Sequence, residues 1–398
     1  MVSLAEKQQL KTGWKVWRFD QIAINVNDRI DDPSKAEVDY YVGLEHLDSD
    51  SLKIRRWGSP SDVEATKLIF RKGDIIFGRR RVYQRKVAVA EFDGICSAHA
   101  LVLRARPEVT LPEFLPFFMQ SDLFMERAKS ISVGSLSPTI NWKTLAKEEF
   151  SLPPLEEQKR FLELLLCLER TFNHYVEASD RIEKLLLSRT EGFLSDLDSD
   201  SLSCPVESLL SESPRNGVSP KTNDSSQGYR TVSISSIIAG QFITDGNIKY
   251  AEISHEKVEQ FLVKEKDVFV IRGNGNRQLT AKCGISTETY QNLFYPDLLI
   301  RLRFNETKII SKFAVLQWNA PSAHRRLISR AKSTNGIWKI NGQDIRKHKL
   351  LVPSIKDQKN LLAETESILG TLKSLRIRIG QLKRFKSTIL NIHLAGAE

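Results

Sequence analysis

The stretch that decides the fold is SLPPLEEQK at residues 151–159, because a degenerate copy of it, LVPSIKDQK, returns at residues 351–359. An Ile-Asn pair precedes each stretch, at residues 140–141 and 340–341, with the same offset of 200 residues. A long helical pattern then follows each stretch without a gap. The sequence therefore predicts a duplicated unit in which a globular lobe is followed by a long helix.

Both helices have recognisable starts. Two prolines and the carboxylates of Glu156 and Glu157 open the first, as the helix dipole favours. Ser354 stands three residues before Asp357 at the start of the second, which is an imperfect capping box. About 40 residues at about 1.5 Å each make each helix roughly 60 Å long, which is longer than a globular domain needs.

Apolar residues recur in each helix at steps of four and three, like the seam of a coiled coil. The expected seam residues are Phe161, Leu165, Leu168, Phe172, Tyr175, Ile182, Leu186, Leu361, Ile368, Leu372, Leu375, Ile379 and Leu382. We expect the two stripes to be buried against each other in an antiparallel pair. The polar interruptions Arg189, Lys386 and His393 should then reach solvent or another protein. The alternative is that each helix packs on its own lobe.

The predicted fold class is α+β, with two similar sheet-rich globular domains joined by two long antiparallel helices in a pseudo-two-fold internal repeat. Short strand-like runs such as residues 67–70, 87–89 and 267–271 predict the strands. The predicted segments are residues 1–152 and 198–352 for the lobes and residues 153–197 and 353–398 for the helices.

Composition favours a polyanionic partner. The chain has 398 residues, a net charge of +10, and 59 Lys and Arg against 49 Asp and Glu. Its four cysteines are too scattered for a metal or redox motif and too few for a disulfide framework, so we expect a reducing, cytoplasmic location. No apolar run is long enough to span a membrane, and no membrane association is expected.

Catalytic signatures are missing from the sequence. It has no phosphate-binding P-loop, no HExxH zinc helix, no GxSxG nucleophile elbow and no Asn-Pro-Pro-aromatic methyltransferase motif. The EQK and DQK tripeptides match half of a nuclease motif, but they lie in helix starts. The GNG run at residues 273–275 indicates a hairpin turn, and His46, His99 and His255 lack ligand spacing.

Cations instead cluster in turns. Seven lie between Arg71 and Lys86 against the single acid Asp74, and several of them follow a predicted strand directly. At such a strand end or hairpin tip, arginine can pair with guanine or phosphate. The counterpart after residues 267–271 combines cations with amides, which read adenine. The candidate DNA-binding residues are Arg79, Arg80, Arg81, Tyr83, Arg85, Lys86, Ser135, Arg272, Asn274, Asn276, Arg277, Gln278, Lys282, Trp338 and Lys339.

Two lobes of about 150 residues, each followed by a helix that opens with LPPLEEQK or its copy VPSIKDQK, resemble the specificity subunit of type I restriction-modification systems. The segment GDIIFGR at residues 73–79 is also similar to the target recognition domains of that family. The resemblance implies a non-catalytic reader of double-stranded DNA, in which each lobe binds half of a bipartite target and the helices act as spacer.

The resemblance also implies partners. Two methyltransferase subunits would dock on the helices and nearby surfaces, and ATP-dependent restriction subunits would join the assembled enzyme. S-adenosylmethionine, ATP and Mg would be bound by those subunits, and no cofactor or metal by this chain. Two alternatives remain open. One is a specificity module of a related methylation-based defence system, and the other is a structural or interaction protein whose basic turns are merely solvated.

Overall fold

The chain forms two compact units in a computed structural model, which describes residues 10–135, 137–197, 203–223, 226–244, 248–334 and 336–394. Unit 1 comprises Met1–Glu177 and Arg376–Glu398, and unit 2 comprises Ala178–Leu375. Each unit thus holds one lobe and one half of each long helix, whereas the predicted segments separated lobes from helices. The predicted boundary at residue 198 lies outside the described residues.

The strands of unit 1 are β1 (Lys15–Arg18), β2 (Ala23–Val26), β3 (Arg29–Ile30), β4 (Tyr41–Val42), β5 (Lys67–Phe70), β6 (Ile75–Gly78), β7 (Val87–Val89), β8 (Gly94–Cys96), β9 (Ala100–Ala105) and β10 (Glu149–Leu152). Its helices are α1 (Phe19–Ile22), α2 (Leu115–Gln120), α3 (Asp122–Ser130), α4 (Trp142–Leu145) and the first part of α5 (Leu155–Ser195). Strands β2-β9-β6-β7 form one sheet, β3-β5-β8-β4 another, and β1 pairs with β10.

Strand β6 is central in its sheet, and all four of its residues are buried. Ile75 and Phe77 point into a core that also holds helices α2 and α3, while Ile76 points into a second core on the other face. A strand that is covered on both faces has a continuous apolar sequence. This is why the run at residues 75–77 contains no polar residue.

The strands of unit 2 are β11 (Ser203–Pro205), β12 (Leu210–Asn216), β13 (Thr222–Asn223), β14 (Tyr229–Thr231), β15 (Ile237–Ile238), β16 (Gly240–Phe242), β17 (Lys249–Ala251), β18 (Val268–Ile271), β19 (Gly273–Asn274), β20 (Cys283–Ile285), β21 (Leu293–Phe294), β22 (Leu299–Phe304), β23 (Lys332–Thr334), β24 (Ile337–Lys339) and β25 (Lys349–Leu351). Its helices, besides the end of α5, are α6 (His255–Val258), α7 (Ser311–Asn319), α8 (Pro321–Ile328), α9 (Gly342–Arg346) and the first part of α10 (Ile355–Leu394).

Unit 2 repeats the layout of unit 1. Strand β18 lies between β22 and β20 in the sheet β12-β22-β18-β20-β16-β15, as β6 lies between β9 and β7. Val268 and Val270 face one core, and Phe269 and Ile271 face another. The sheets β13-β17-β14-β21 and β19-β24-β23 complete the lobe, and β11 pairs with β25 as β1 pairs with β10. The predicted α+β repeat is therefore confirmed.

The two long helices have 41 and 40 residues and run antiparallel within each unit. In unit 1 the ring of the early residue Phe161 of α5 contacts that of the late residue His393 of α10 in a tilted arrangement, with ring centroids 4.3 Å apart. In unit 2 the late residue Leu186 of α5 shares an apolar cluster with the early residue Leu372 of α10. Each predicted seam residue is buried or half-buried.

Two expectations about the helices need correction. Lys386 does not reach solvent, since only 5% of it is exposed and its Nζ lies 2.9 Å from Glu169 Oε2. The helix ends are also parts of the lobe cores, because Leu165 and Leu390 pack into the main core of unit 1 and Leu361 into that of unit 2. The seam is therefore buried both between the helices and against the lobes.

A buried glutamine attaches each long helix to its lobe. Gln158 Nε2 donates to the carbonyls of Val109 (3.0 Å) and Pro153 (2.9 Å), and its Oε1 accepts from Leu111 N at 3.0 Å. Gln358 makes the same three bonds in unit 2, to Lys308, Pro353 and Ile310. The repeated glutamine of the EQK and DQK tripeptides is therefore a structural residue, as the interpretation of these tripeptides as helix starts predicts.

Candidate nucleic-acid interface

The basic cluster of unit 1 lies in the connection between β6 and β7, residues 79–86, which we call turn 1. Backbone hydrogen bonds join it to loop 1, residues 132–139. Arg81 N donates to Pro138 O at 2.7 Å, and Arg80 forms a β-bridge with Thr139. The exposed Ser135 belongs to loop 1, although its neighbour Leu136 lies outside the described residues. The strand-end position predicted for the arginines is confirmed.

Polar groups of the unit hold the three consecutive arginines in place. Arg79 Nη2 donates to Ala98 O at 2.9 Å, Arg80 Nη1 lies 3.2 Å from His99 Nε2, and Arg81 Nε donates to Ser137 Oγ at 3.2 Å. Burial, helped by Arg80 and Arg79, lowers the pKa of His99, so a neutral imidazole accepts from Arg80 near neutral pH. None of the three arginines is paired with a carboxylate in the described part of the chain.

The backbone of turn 1 is unusual. Arg81 and Arg85 have φ values of 57° and 52°, and they flank a short 3-10 turn over Val82–Gln84. A left-handed conformation costs a non-glycine residue free energy, and such residues concentrate at functional sites. The result is that Tyr83 projects outward with 55% of its surface exposed.

Two residues of turn 1 face inward. Arg85 donates to Asp50 (2.6 Å), Asp122 (2.9 Å) and the Gln120 carbonyl (2.5 Å). Lys86 Nζ donates to Leu44 O at 2.6 Å, and burial lowers its pKa. Because these side chains already satisfy buried acceptors, we leave Arg85 and Lys86 out of the candidate interface, contrary to the sequence-based expectation.

The counterpart in unit 2 is turn 2, residues 272–282, between β18 and β20. It meets loop 2, residues 332–339, through the sheet β19-β24-β23, in which Asn274 pairs with Trp338 and Gly273 with Lys339. The junction repeats that of unit 1, because Ile340 N donates to Arg272 O at 2.9 Å as Ile140 N donates to Arg79 O at 3.0 Å. The structure therefore brings the predicted residues of turn 2 together with Trp338 and Lys339.

Residues of turn 2 divide into exposed and structural ones. Asn276, Arg277, Gln278 and Lys339 are exposed, and Arg272 and Asn274 are half-buried. Lys282 is different, since its Nζ donates to Asn319 O at 3.1 Å and burial lowers its pKa. Lys282 closes turn 2 through its backbone, because its carbonyl accepts from Ile271 N at 2.9 Å. Lys86 closes turn 1 in the same way, since its carbonyl accepts from Gly78 N at 2.9 Å. We leave Lys282 out of the interface as well.

Two arginines on the neighbouring strands are paired with buried carboxylates. Arg104 bonds to the buried Asp74 at 2.5 Å, and its counterpart Arg303 bonds to the buried Asp267 at 2.6 Å. These partners hold the pKa of both arginines above the usual value. Within the described residues, Arg272, Arg277 and Lys339 have no such partner. Cations without a carboxylate partner are thus present at both turn-loop surfaces.

Lys332 is not among the residues that the sequence predicted for the site, but the structure pairs it with Lys339. Lys332 and Lys339 are directly opposed across the β23-β24 hairpin, and both are exposed. Like charges at directly opposed positions repel each other. The register of the hairpin, which the sequence alone does not show, is what makes the pair significant.

Neither a metal centre nor a membrane segment was found where the structure describes the chain. No group of three or more His, Cys, Asp or Glu side chains is placed to hold a metal ion among those residues. No described helix is long and apolar enough to cross a bilayer.

Comparison with known proteins gives consistent similarities. Residues 61–183 match the Type I restriction modification DNA specificity domain. The chain is 27% identical over 292 residues to the EcoKI specificity subunit of Escherichia coli K12, covering 69% of this chain and 62% of that relative. It is 20% identical over 358 residues to the StySPI specificity subunit of Salmonella potsdam, covering 82% and 77% respectively.

Solved structures are similar over nearly the whole chain. The HsdS subunit from Thermoanaerobacter tengcongensis has a TM-score of 0.40 at 19% identity, covering 98% of this chain and 99% of that one. The S subunit from M. genitalium has a TM-score of 0.45 at 13% identity, covering 100% and 99%.

The chain spans about 62% of the EcoKI relative and 38% of the EcoDI specificity subunit, so it matches part of each. The family resemblance inferred from the duplicated helix start is nevertheless confirmed by the domain match and by these relatives. Residues 61–183 are similar to the type I restriction modification DNA specificity domain, and the chain is similar to the specificity subunits of type I restriction enzymes.

Proposed function

We propose that this chain is the DNA-reading specificity subunit of a type I restriction-modification enzyme. Each lobe reads one half of a bipartite target through its turn-loop surface, and the long helices separate the two readers. The chain itself performs no catalysis. It docks two methyltransferase subunits, and ATP-dependent restriction subunits join the complex. S-adenosylmethionine, ATP and Mg are bound by those partners.

The observation that carries this proposal is the contrast between paired and unpaired cations. Arg104 and Arg303 are neutralised by buried carboxylates. Arg80, Arg81 and Arg277 lie at strand ends with no carboxylate partner among the described residues. Cations left without a carboxylate partner at such turns suit the phosphates and guanine edges of a duplex. Such a cationic turn recurs at the equivalent position of both units, joined to its loop by the same backbone hydrogen bond.

The proposal is tested with the complex of this chain and its native methyltransferase partner. Methylome sequencing of cells with and without the gene identifies the target, and gel-shift titration of the purified complex then measures affinity at several salt concentrations. We expect a bipartite methylated sequence and salt-sensitive binding. A complex that neither methylates a defined sequence nor prefers it over random duplex would contradict the proposal.

A charge-matched pair of variants locates the interface. Arg80→Ala with Arg81→Ala should lower affinity roughly 10-fold to 100-fold near 0.15 M salt, through lost phosphate or guanine contacts. Arg71→Ala with Lys72→Ala removes the same charge at the opposite end of β6, where Arg71 is paired with Asp93. This control should bind nearly as well as the wild type. If both variants lost the same affinity for DNA, the effect would be one of net charge and would not locate the interface at turn 1.

A further inference from the structure

Turn 2 contains a feature that turn 1 lacks. The guanidinium carbon of Arg277 lies 4.6 Å from the centroid of the Trp338 ring. We infer that Arg277, stacked on Trp338, is the residue with which unit 2 reads a guanine in its half of the target. This inference rests on the proposed function, and it assigns a base and a residue that the family relationship leaves open.

Trp338 is a rigid platform. It lies in β24, the central strand of a three-stranded sheet, opposite Asn274 on one side and Ser333 on the other. Its side chain packs against the main core of unit 2, and its carbonyl accepts from Thr280 Oγ1 at 3.4 Å. A ring that is anchored through both backbone and side chain cannot follow the arginine, so the arginine is ordered by the ring.

Stacking leaves the reading edge of Arg277 free. A guanidinium that packs with its flat face on an indole keeps its N–H donors pointing outward within its plane. Arg277 is exposed and is not paired with a carboxylate among the described residues. Two parallel N–H donors match the O6 and N7 acceptors of guanine in the major groove. Holding the side chain in place before binding reduces the conformational entropy lost on contact.

The neighbouring amides shape the turn. Asn274 Oδ1 accepts from Asn276 N at 2.8 Å, and Asn276 Oδ1 accepts from Gln278 N at 2.9 Å. Reading adenine with an amide needs its oxygen and its nitrogen together. Since both asparagine oxygens cap the turn, they support Arg277 at the start of the 3-10 turn Arg277–Leu279. The sequence-based expectation that these asparagines read adenine is therefore not our proposal for them.

Unit 1 fixes its arginines differently. At the position equivalent to Trp338, loop 1 has Pro138, and Arg81 is held through a bond from its Nε to Ser137. An arginine placed over an aromatic ring is thus a feature of turn 2 and not of turn 1. Removing it should alter one half of the target and leave the other unchanged.

The experiment uses the assembled complex and a panel of duplexes in which each base pair of the target is varied in turn. Arg277→Ala and Arg277→Lys should reduce discrimination at a single G·C pair, in one half-site, by roughly 5-fold to 100-fold. Trp338 is a positioning residue, so Trp338→Phe should keep most of the discrimination and Trp338→Leu should lose it. Arg230→Ala is the matched control, because Arg230 also stacks on a ring, that of Tyr290 at 5.9 Å.

The outcomes separate this inference from the proposed function. If Arg277→Ala weakens binding to all duplexes equally, Arg277 contacts phosphate and the inference is wrong while the proposed function stands. The same holds if discrimination is unchanged, or if it changes in both half-sites. If the wild-type complex shows no sequence preference, the proposed function itself fails. Should the Trp338 variants unfold, the two exposed Arg277 variants still decide the question.

Discussion

At equivalent positions of the long helices, unit 1 buries two charged side chains and unit 2 buries apolar ones. Unit 1 buries an ion pair between Glu169 and Lys386, 2.9 Å apart. At the positions offset by 200 residues, unit 2 has Leu369 and Leu186, which share an apolar cluster with Leu372. A buried ion pair adds little net stability but penalises every arrangement that leaves one charge alone. The difference suggests that a duplicated chain uses it to specify which helix halves pair.

Breaking the ion pair should have the largest effect. Lys386→Met leaves Glu169 buried without its partner, so unit 1 should lose about 3 to 5 kcal/mol of stability. Glu169→Leu with Lys386→Leu, which copies unit 2, should recover only part of this loss, because Gln120 and the Asp50 carbonyl lose a donor. Hydrogen exchange of the amides in unit 1 measures the stability of both variants. The control is a substitution that breaks the exposed ion pair between Arg189 and Glu364 in unit 2. If this control lost as much stability as Lys386→Met, the role of burial would be refuted.

The hydrogen bonds of the two buried glutamines are a feature that both units share. Gln158→Ala leaves a buried N–H and two carbonyls without a partner and should destabilise unit 1 by about 2 to 3 kcal/mol. Gln358→Ala should do the same to unit 2, because its three bonds are equivalent. Local hydrogen exchange separates the two responses. If either substitution destabilised both units equally, the attachment would not be local to one lobe.

Acidification should distinguish the units again. Burial, followed by Lys282, lowers the pKa of His324 to about 4, and burial, followed by Arg326 and Arg330, lowers that of His348 to about 3. The unfolded chain binds these protons near pH 6.5 and the folded one does not, so stability is retained above pH 6.5 and is lost as the pH falls towards 4. Each histidine should cost unit 2 on the order of 2 kcal/mol by pH 5.

Hydrogen exchange at pH 7, 6 and 5 measures this difference. His348→Phe should remove about half of the pH dependence of unit 2, because a phenyl ring occupies the site beside Trp318 without titrating. The control is unit 1, where the histidines with a lowered pKa, His46 and His99, are half-buried and exposed, so their shifts matter less for stability. An equal pH response of the two units would contradict the assignment to the buried histidines.

Sequence reasoning succeeded where the information is local or repeated. The helix starts are an example, since Ser354 Oγ donates to Asp357 at 2.6 Å and accepts from its amide at 3.2 Å, as the capping box predicts. The strand-end position of Arg79, Arg80 and Arg81 is another. These features depend on residues within a few positions of each other or on a period that the chain shows twice.

Prediction from the sequence failed where a cation pairs with an acidic residue that is distant in the chain. Arg85 resembles its basic neighbours in sequence, but the fold places Asp50 and Asp122 around it. Lys386 interrupts an apolar stripe and is buried because Glu169 lies opposite on the other helix. Charge density along the chain cannot distinguish a free cation from a neutralised one, since the distinction is made by tertiary contacts.

The smallest effects are expected at the lysines of loop 2, and they should have opposite signs for stability and binding. Lys332 and Lys339 are directly opposed in the β23-β24 hairpin, so Lys339→Ala should stabilise free unit 2 by about 0.2 to 1 kcal/mol. The same variant should weaken DNA binding on all sequences and reduce the salt slope of log affinity by roughly 0.9. Lys347→Ala in the same unit is the control.

Thermal unfolding and salt-dependent gel shifts measure the two effects separately. A structural role for the lysines predicts lower stability and unchanged binding in Lys339→Ala, and that result would remove loop 2 from the interface. Higher stability together with weaker binding would mean that the repulsion is relieved only when a polyanion binds. Unit 1 offers the contrast, because Thr139 takes the place of Lys339 in loop 1 and no such pair of charges is opposed there among the described residues. Thr139→Ala should therefore leave the salt slope unchanged.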